Sequence, residues 1–477
     1  MLDILLVNPP SPDGSIIIRD INRSGRSSRE GMIWPQTGLA YLAAMLKDTY
    51  KVGIIDCIAE DWDWPKFRTF LHQENPRYIL TNVITATLTN DMSVVSLAKE
   101  LKAVTIAIGP HVTDLPKETL QFFPELDYII RGEAELTVGE LIDACERKSG
   151  VGEVRGIAFR DGSGIVITEE REFIDDLNIL PMPAHELLPL KKYYRPFFGN
   201  YTFIITSRGC PFNCSFCRQT VMWKGKFRQR SVKSIIEEIK YLQKLGLDSL
   251  LLHADTFTVN KDWVIQLCKE IIDSNISIRW ACNTHAATID REMVKWMKKS
   301  GCWMIAPGIE NASQVVLDNV NKGATVSQIR EAVEIIHSEG IEVWGYFVLG
   351  LPGETKESIK ETIKLSKDLP LDMANFAVGS PYPGTKFFNQ AKEQGWISNS
   401  VKWEDYDQNR SSVVNYNNLS AKDIENSVKL ANIQWFLRPR PICKILRETF
   451  KNRENFKIMT GIIIKHLKWF LTLQKTK

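Results

Sequence analysis

Two successive runs of short apolar segments alternating with amphipathic ones fill most of the chain, and few folds accept that order. A short apolar run followed by a helical stretch reads as a βα unit, and repeated units build a parallel sheet covered by helices. In the first run, strands are expected at 2–7, 52–55, 78–83, 104–108 and 128–130, with helices at 38–47, 91–101 and 136–145. These strands are apolar at nearly every position, as strands buried on both faces are. The pattern predicts a doubly wound parallel sheet over residues 1–145. Ligands of such sheets lie beyond the carboxyl ends of the strands. Asn8, Asp56, Thr85, Thr87, Gly109 and His111 all follow expected strand ends.

Residues 146–198 break the rhythm with glycine- and proline-rich turns, a hairpin pattern at 156–159 and 165–168, and the run Leu180-Pro-Met-Pro183. They read as a linker. A second alternating series occupies 199–395. Its strands are expected at 203–206, 249–252, 278–281, 303–306, 343–348 and 374–378, with helices at 231–245, 262–274, 290–300, 325–339 and 355–368. Six βα units are two short of a closed eight-fold barrel, so a partial (β/α)6 TIM-type barrel with a lateral opening is expected. Residues 396–477 read as a small C-terminal helical region.

Composition narrows the class of partner. Of 477 residues, 44% are hydrophobic and 25% charged, which fits a globular protein and excludes disorder as a whole-chain state. Sixty basic residues against 57 acidic ones give a net charge of +3, so no nucleic-acid partner is expected. The basic excess is local: from Arg438 to Lys477 there are eleven Lys or Arg and two Glu. The amphipathic stretch 459–473 within it is a candidate for peripheral contact with an anionic membrane, or for packing on the protein itself. No segment has the roughly 18 uninterrupted apolar residues of a membrane span. The first seven residues lack the basic flank and cleavage site of a signal peptide and read as a strand, so a cytoplasmic protein is expected.

There are nine cysteines, three of them in Cys210-Pro-Phe-Asn-Cys214-Ser-Phe-Cys217. With no export signal, metal or redox chemistry is a better reading than disulfides. The C-x3-C-x2-C run follows the first strand of the second series, at the barrel face where such enzymes place their chemistry. A zinc site would need a fourth N or S ligand, and the nearest other cysteines are Cys145 and Cys268. Three thiolates can instead hold three irons of a [4Fe–4S] cube and leave the fourth iron open.

This run, with Phe216 before the last cysteine, resembles the hallmark of the radical S-adenosylmethionine (SAM) superfamily. The resemblance implies that Cys210, Cys214 and Cys217 hold the cluster, that the open iron chelates SAM, and that electron transfer cleaves SAM to a 5′-deoxyadenosyl radical. Later segments are similar to further family motifs in the expected order. Leu252-His-Ala-Asp255-Thr-Phe257 stands where the amino group of SAM is held, with Asp255 the candidate. Trp280-Ala-Cys-Asn-Thr-His285 stands where many members carry Arg at the position of His285. Ala306-Pro-Gly308-Ile-Glu310-Asn-Ala-Ser313 resembles the motif whose Glu faces the ribose. Phe347-Val-Leu-Gly350-Leu-Pro-Gly353 passes near adenine in the family, and Pro381-Tyr-Pro-Gly-Thr385 also matches.

A doubly wound domain ahead of such a barrel resembles the cobalamin-binding branch of that superfamily. Asn8-Pro-Pro10, Trp34-Pro-Gln-Thr-Gly38, Gly109-Pro-His111-Val-Thr113 and Arg131-Gly-Glu133-Ala-Glu135 recur there. The resemblance implies cobalamin as a third cofactor, with Asn8, Thr85, Thr87, Gly109, His111 and Glu133 as candidate contacts. Ile58 stands where other cobalamin proteins carry a cobalt-ligating His, so cobalamin is expected base-off with no protein His below the metal. The activity implied is methylation of an unactivated carbon of a small-molecule or lipid-like substrate. In that scheme a substrate radical accepts the methyl group of methylcobalamin, a second SAM restores it, and a flavodoxin or ferredoxin-type donor supplies electrons. Two other readings stand beside it. One is a cyclase or rearrangement enzyme like the anaerobic magnesium-protoporphyrin monomethyl ester cyclase; the other is a non-catalytic cobalamin or redox sensor. Tyr346, Tyr382 and Cys302 are candidate substrate-side groups, and no residue is assigned a catalytic role.

Overall fold

The computed structural model describes residues 2–162 and 164–471. It divides into two compact units. One comprises Met1–Ser28 and Met32–Tyr193; the other comprises Arg29–Gly31 and Tyr194–Lys477.

The first unit is built on a seven-stranded sheet. Its strands are β1 (Ile4–Asn8), β4 (Val52–Asp56), β5 (Tyr78–Asn82), β6 (Val104–Ile108), β7 (Tyr128–Ile130), β8 (Ile157–Asp161) and β9 (Gly164–Ile167). A separate hairpin, β2 (Ile17–Asp20) with β3 (Arg23–Ser27), lies between β1 and the first helix. The order is β4-β1-β5-β6-β7-β8-β9, with the first five strands parallel and the last two antiparallel. The parallel strands bury both faces: Ile4, Leu6, Leu80 and Ile106 pack under one helix layer, and Leu5, Val7 and Ile79 under the other. The chain leaves β1 for β4 on one side and later returns to β5 on the other, so the switch point lies between β1 and β5. Ligand crevices of doubly wound sheets form at that place.

The segment expected as a linker contributes β8 and β9. Ile157 and Ala158 are fully buried and extend the sheet. Their short, glycine-flanked pattern looks like a free hairpin until β7 supplies the pairing edge. Thr85 also departs from expectation. The strand ends at Asn82, and Thr85–Thr87 form a 3₁₀ turn ahead of helix Leu88–Glu100, rather than following the strand directly.

The second unit holds a curled sheet in the order β10 (Tyr194–Arg195), β11 (Gly199–Ile205), β14 (Ser249–His253), β15 (Arg279–His285), β16 (Cys302–Glu310), β17 (Glu342–Leu349) and β18 (Met373–Val378). The short ribbon β12 (Ser207–Arg208) with β13 (Arg228–Gln229) sits beside it. Strands β11 and β14–β18 are parallel, with helices between them, giving the six βα units of an incomplete barrel. Local capping sets the helix starts: Ser231, Asp290, Thr325 and Thr355 each accept a backbone N–H of the first turn. Strands β15 and β16 run longer than their apolar cores suggest, ending on His285 and Glu310. Polar residues end these strands because the carboxyl rim of the barrel is where function is placed.

After β18 come helices Ala421–Phe436, Pro439–Thr449 and Arg453–Leu471. No helix among the described residues is long and apolar enough to cross a membrane.

Candidate active site

In the second unit the cysteine loop leaves β11 and β12 at the carboxyl rim. Gly209 precedes Cys210 with φ +89°, and a Cβ there would come within 1.9 Å of the Lys226 carbonyl, so only glycine fits. Its N–H donates to Asp255 Oδ2 at 2.8 Å, which fixes the Asp255 carboxylate at the loop entrance. Cys210 Sγ lies 3.2 Å from the Thr256 hydroxyl. Further along, the Ser215 N–H donates to the Val320 carbonyl and the Phe387 N–H donates to the Ser215 carbonyl. Phe216 packs against Val316, Val320 and Leu351. The loop is thus held by elements far away in sequence.

Burial pushes all three thiols up, Cys214 to about 11 and Cys217 to about 12; Cys217 also feels Cys214 and Cys210, whereas Cys214 feels the opposing charges of Lys322 and Glu310 and then Cys210. No three His, Cys, Asp or Glu among the described residues stand preassembled as a metal centre. The donor set nevertheless fits the cluster: three thiols share one short, partly buried loop, with no imidazole or carboxylate among the described residues completing a zinc tetrahedron. The buried Ser215 hydroxyl between two of the cysteines has no hydrogen-bond partner among the described residues.

Lys322, which the sequence alone did not single out, lies at the centre of the site. Its ammonium pairs with Glu310 Oε1 at 2.8 Å, and both side chains are buried. Burial opposes the charge on Lys322, but Glu310, Cys214 and Cys217 outweigh it and raise its pKa above the ordinary value. The Lys322 carbonyl meets His285 Nε2 at 2.8 Å. Burial, and then the Lys322 cation, drop His285 to about 3, so the imidazole is neutral. Its ring stacks on Phe212 of the cysteine loop with centroids 3.6 Å apart. His285 therefore braces the loop against the Lys322 turn.

Glu310 itself is left-handed, φ +63°, at a register irregularity between Gly308 and Glu310. Such a bulge re-aims a side chain, and a non-glycine residue there is strained. Gly308 makes the geometry possible, since a Cβ would meet Glu310 Oε1 at 2.5 Å and Lys322 Nζ at 2.9 Å. Gly350 (φ +88°) is fastened elsewhere: a Cβ would strike Ile424, and its carbonyl accepts from the Tyr416 hydroxyl at 3.0 Å. Its N–H donates to buried Glu354, which also accepts from Asn311. Burial lifts Glu354 to about 7. Tyr346 sits in register with Gly308, and Tyr382 is buried beyond β18. Cys302, a candidate substrate-side group, instead opens β16 at the opposite end of the barrel. It faces Cys282 there, because the strand begins one residue earlier than its apolar core suggests.

In the first unit the expected residues gather at the switch point. Asn8 Nδ2 donates to Asp56 Oδ1 at 2.7 Å, and the Tyr193 hydroxyl donates to Asp56 Oδ2 at 2.9 Å. Burial raises Asp56 to about 6. Arg19, from the hairpin strand β2, forms a fully buried pair with Asp91 at 2.8 Å and donates to Asn8 and the Pro9 carbonyl. Thr87 donates to Asp91, so its hydroxyl braces this network. The Thr85 hydroxyl lies 3.2 Å from His111 Nδ1. Gly109, at φ +117°, allows a close approach: a Cβ would lie 2.5 Å from the Val83 carbonyl. Glu133 accepts from the Ile174 N–H and ties down the following segment. Ile58 borders an apolar cluster of Ile17, Ile84 and Ala86. Asn82 ends β5 fully buried, and neither its amide N nor its O has a partner among the described residues. Buried polar groups are almost always paired. An orphaned amide in the crevice fits a ligand rich in amide groups, as a corrin is.

Comparisons agree with this geometry. Residues 204–366 match the model of the radical SAM superfamily and residues 29–142 match that of the B12 binding domain. An uncharacterized methyltransferase of Pyrococcus horikoshii is 31% identical over 94% of this chain and 95% of its own length. The anaerobic magnesium-protoporphyrin IX monomethyl ester cyclase of Rubrivivax gelatinosus is 31% identical over 75% of this chain and 66% of its own. Among solved structures, the cobalamin-dependent SAM radical enzyme OxsB shares the fold at TM-score 0.72 and 15% identity, over 99% of this chain and 73% of that one. The radical SAM methyltransferase TsrM from Kitasatospora setae does so at 0.68 and 17%, over 84% and 79%. A partly buried cysteine triad on one rim and a doubly wound crevice with an orphaned amide are thus the two halves of one known architecture, and the chain belongs to the cobalamin-binding branch of the radical SAM superfamily, an enzyme whose cofactors are a [4Fe–4S] cluster, SAM and cobalamin.

Proposed function

We propose that the protein transfers a methyl group to an unactivated carbon of a small-molecule or lipid-like substrate. The observation that carries this is the pairing of the cysteine triad with the switch-point crevice in one chain, together with the methyltransferase named as a relative over nearly its whole length. Bound together, the cluster and SAM supply a carbon-centred radical, and cobalamin supplies a methyl group.

The residues divide the remaining work. Cys210, Cys214 and Cys217 would hold iron. Asp255, oriented by the Gly209 N–H, would accept from the SAM amino group. Glu310 would accept from the ribose hydroxyls, held at its strained position by Lys322. Gly308 gives room for that pair, His285 keeps the cysteine loop in place, and Gly350 sets the turn after β17. In the first unit, Asn8, Thr85, Thr87, Gly109, His111 and Glu133 form or brace the crevice, and Asn82 joins them as the amide with an unmet requirement. Ile58 would offer a bound cobalt no donor, and cobalamin held there would more readily give up its methyl group as a radical.

The same reading includes a flavodoxin or ferredoxin-type electron donor, a cytoplasmic location, and peripheral membrane contact through the basic C-terminal helix. Its frame for function is the first unit, with β8 and β9 of the expected linker completing the sheet, followed by the barrel and the C-terminal helices. The test is isotopic. Holoenzyme with SAM labelled at the methyl carbon, a reductant and an extract of source-cell lipids should yield a product carrying the label and one added CH2 unit. A product that lacks the label and has lost hydrogen would favour the cyclase reading instead.

A further inference from the structure

Among the described residues, half of the sixteen exposed large hydrophobic ones lie in one short stretch, from Leu437 to Leu471. On helix Pro439–Thr449, Ile442 and Leu446 are one turn apart, and Phe450, 70% exposed, continues the row. On helix Arg453–Leu471, Phe456, Ile464, Leu467 and Leu471 follow one flank at helical spacing, with Leu467 54% and Leu471 85% exposed. Lys457, Lys465 and Lys468 lie on the adjoining exposed face. The opposite face of that helix, with Met459 and Asn455, packs inward.

Between these helices opens a cavity of about 270 Å³, almost wholly hydrocarbon-lined. Its walls include Phe436, Ile445, Met459, Ile463 and Phe470, with Arg195 and Met373 from the two edge strands of the curled sheet. Exposed Leu437, Ile442, Leu446 and Leu467 also line it, so the cavity opens onto the apolar flank. It therefore touches both edge strands of the incomplete barrel. Because Met373 begins β18 and Phe197 precedes β11, it lies toward the end of the barrel away from the cysteine loop.

Charge decides the occupant. From Arg438 to Leu471 there are nine Lys or Arg against two Glu. Monomeric proteins seldom leave so large an apolar patch open. One with long basic side chains beside apolar ones suits the boundary between headgroups and acyl chains, where lysine stems lie along hydrocarbon and their charges reach phosphate. We infer that the two C-terminal helices dock on an anionic bilayer, and that the cavity between them takes an acyl chain of an anionic lipid. This deepens the membrane contact of the proposed function, and its test is separable from methyl transfer.

The test is flotation of the anaerobic holoenzyme with vesicles of phosphatidylcholine alone, or with about one third phosphatidylglycerol. Deoxyadenosine release is measured in parallel on each variant without vesicles. Binding is expected to anionic vesicles only and to weaken with salt. Replacing Lys457, Lys465 and Lys468 together by Gln should weaken it about a hundredfold, from about a tenfold loss or less per charge at the surface. Leu467→Asp with Leu471→Asp, both on the exposed flank, should weaken it at least about tenfold. Filling the cavity with Ile463→Trp should reduce binding while Ile463→Leu restores it. All surface variants should release deoxyadenosine at the parent rate. Equal binding to neutral vesicles, binding unaffected by the lysine and leucine changes, or a dimer that these leucine changes dissociate would each overturn the inference. Loss of deoxyadenosine release in the parent, with vesicle binding intact, would instead count against the proposed function alone.

Discussion

Lys322→Met isolates the feature on which the barrel site turns. Methionine keeps roughly the volume of the lysine side chain, but Glu310 stays buried beside it with its charge uncompensated. Both partners are at most one-tenth exposed, at a separation of 2.8 Å. Breaking such a pair from one side costs about 3–5 kcal/mol, most of it from the stranded charge. Removing both charges in Lys322→Met/Glu310→Gln should return most of that loss, so the double variant should be more stable than Lys322→Met by about 2 kcal/mol or more. The assay is denaturant unfolding of the four members of the cycle without cofactors, followed by the fluorescence of the barrel tryptophans. Binding gives a second readout. If Glu310 accepts two ribose hydroxyls, each worth about 1.5–3 kcal/mol to a charged acceptor, loss of its aim should weaken SAM at least about tenfold. Additive single costs, with no coupling, would refute the reasoning, because a shared buried pair cannot behave as two independent groups.

Other outcomes follow from the same geometry. Glu354 is lifted by burial from an ordinary 4.5 to about 7, so the folded protein holds that proton more tightly than the unfolded chain. Stability should therefore fall as pH rises from about 4.5 to 7, and Glu354→Gln should flatten that slope in pH-resolved thermal melts. Asn82→Leu removes an unpartnered buried amide, so it should leave stability level or raise it while weakening cobalamin at least about tenfold in spectroscopic titration. Gly109→Ala, whose Cβ would lie 2.5 Å from the Val83 carbonyl, should lose corrin binding while iron content is retained. Gly209→Ala should do the reverse, since its Cβ would collide with the Lys226 carbonyl beside the cysteine loop.

The parts readable from sequence were those specified by neighbours along the chain. Cys210, Cys214 and Cys217 lie within eight residues, so their chemistry is a local pattern. The capping residues Ser231, Thr325 and Thr355 mark helix starts by their own side chains. Apolar runs such as Ile4–Asn8 and Tyr78–Asn82 announce buried parallel strands. What sequence left unread is made by distant contact. Lys322 becomes central only when the turn after helix Gln314–Asn319 meets Glu310 and His285. Thr256 matters because its hydroxyl reaches Cys210 from the loop after β14. Arg19 lies on a short hairpin whose purpose is set by Asp91, 72 residues away. The strand β8 needed the edge of β7 before it could be told from a linker hairpin. Thr87, a candidate cofactor contact, is committed to Asp91.

The most direct test of the central claim is anaerobic reconstitution with iron, sulfide and hydroxocobalamin, followed by SAM and a strong reductant. Deoxyadenosine is quantified while the visible spectrum is recorded. The account predicts release of deoxyadenosine from a protein carrying a corrin spectrum, with release and cluster iron both lost in Cys214→Ala and the corrin spectrum retained. Iron loading with neither deoxyadenosine nor bound corrin would contradict it.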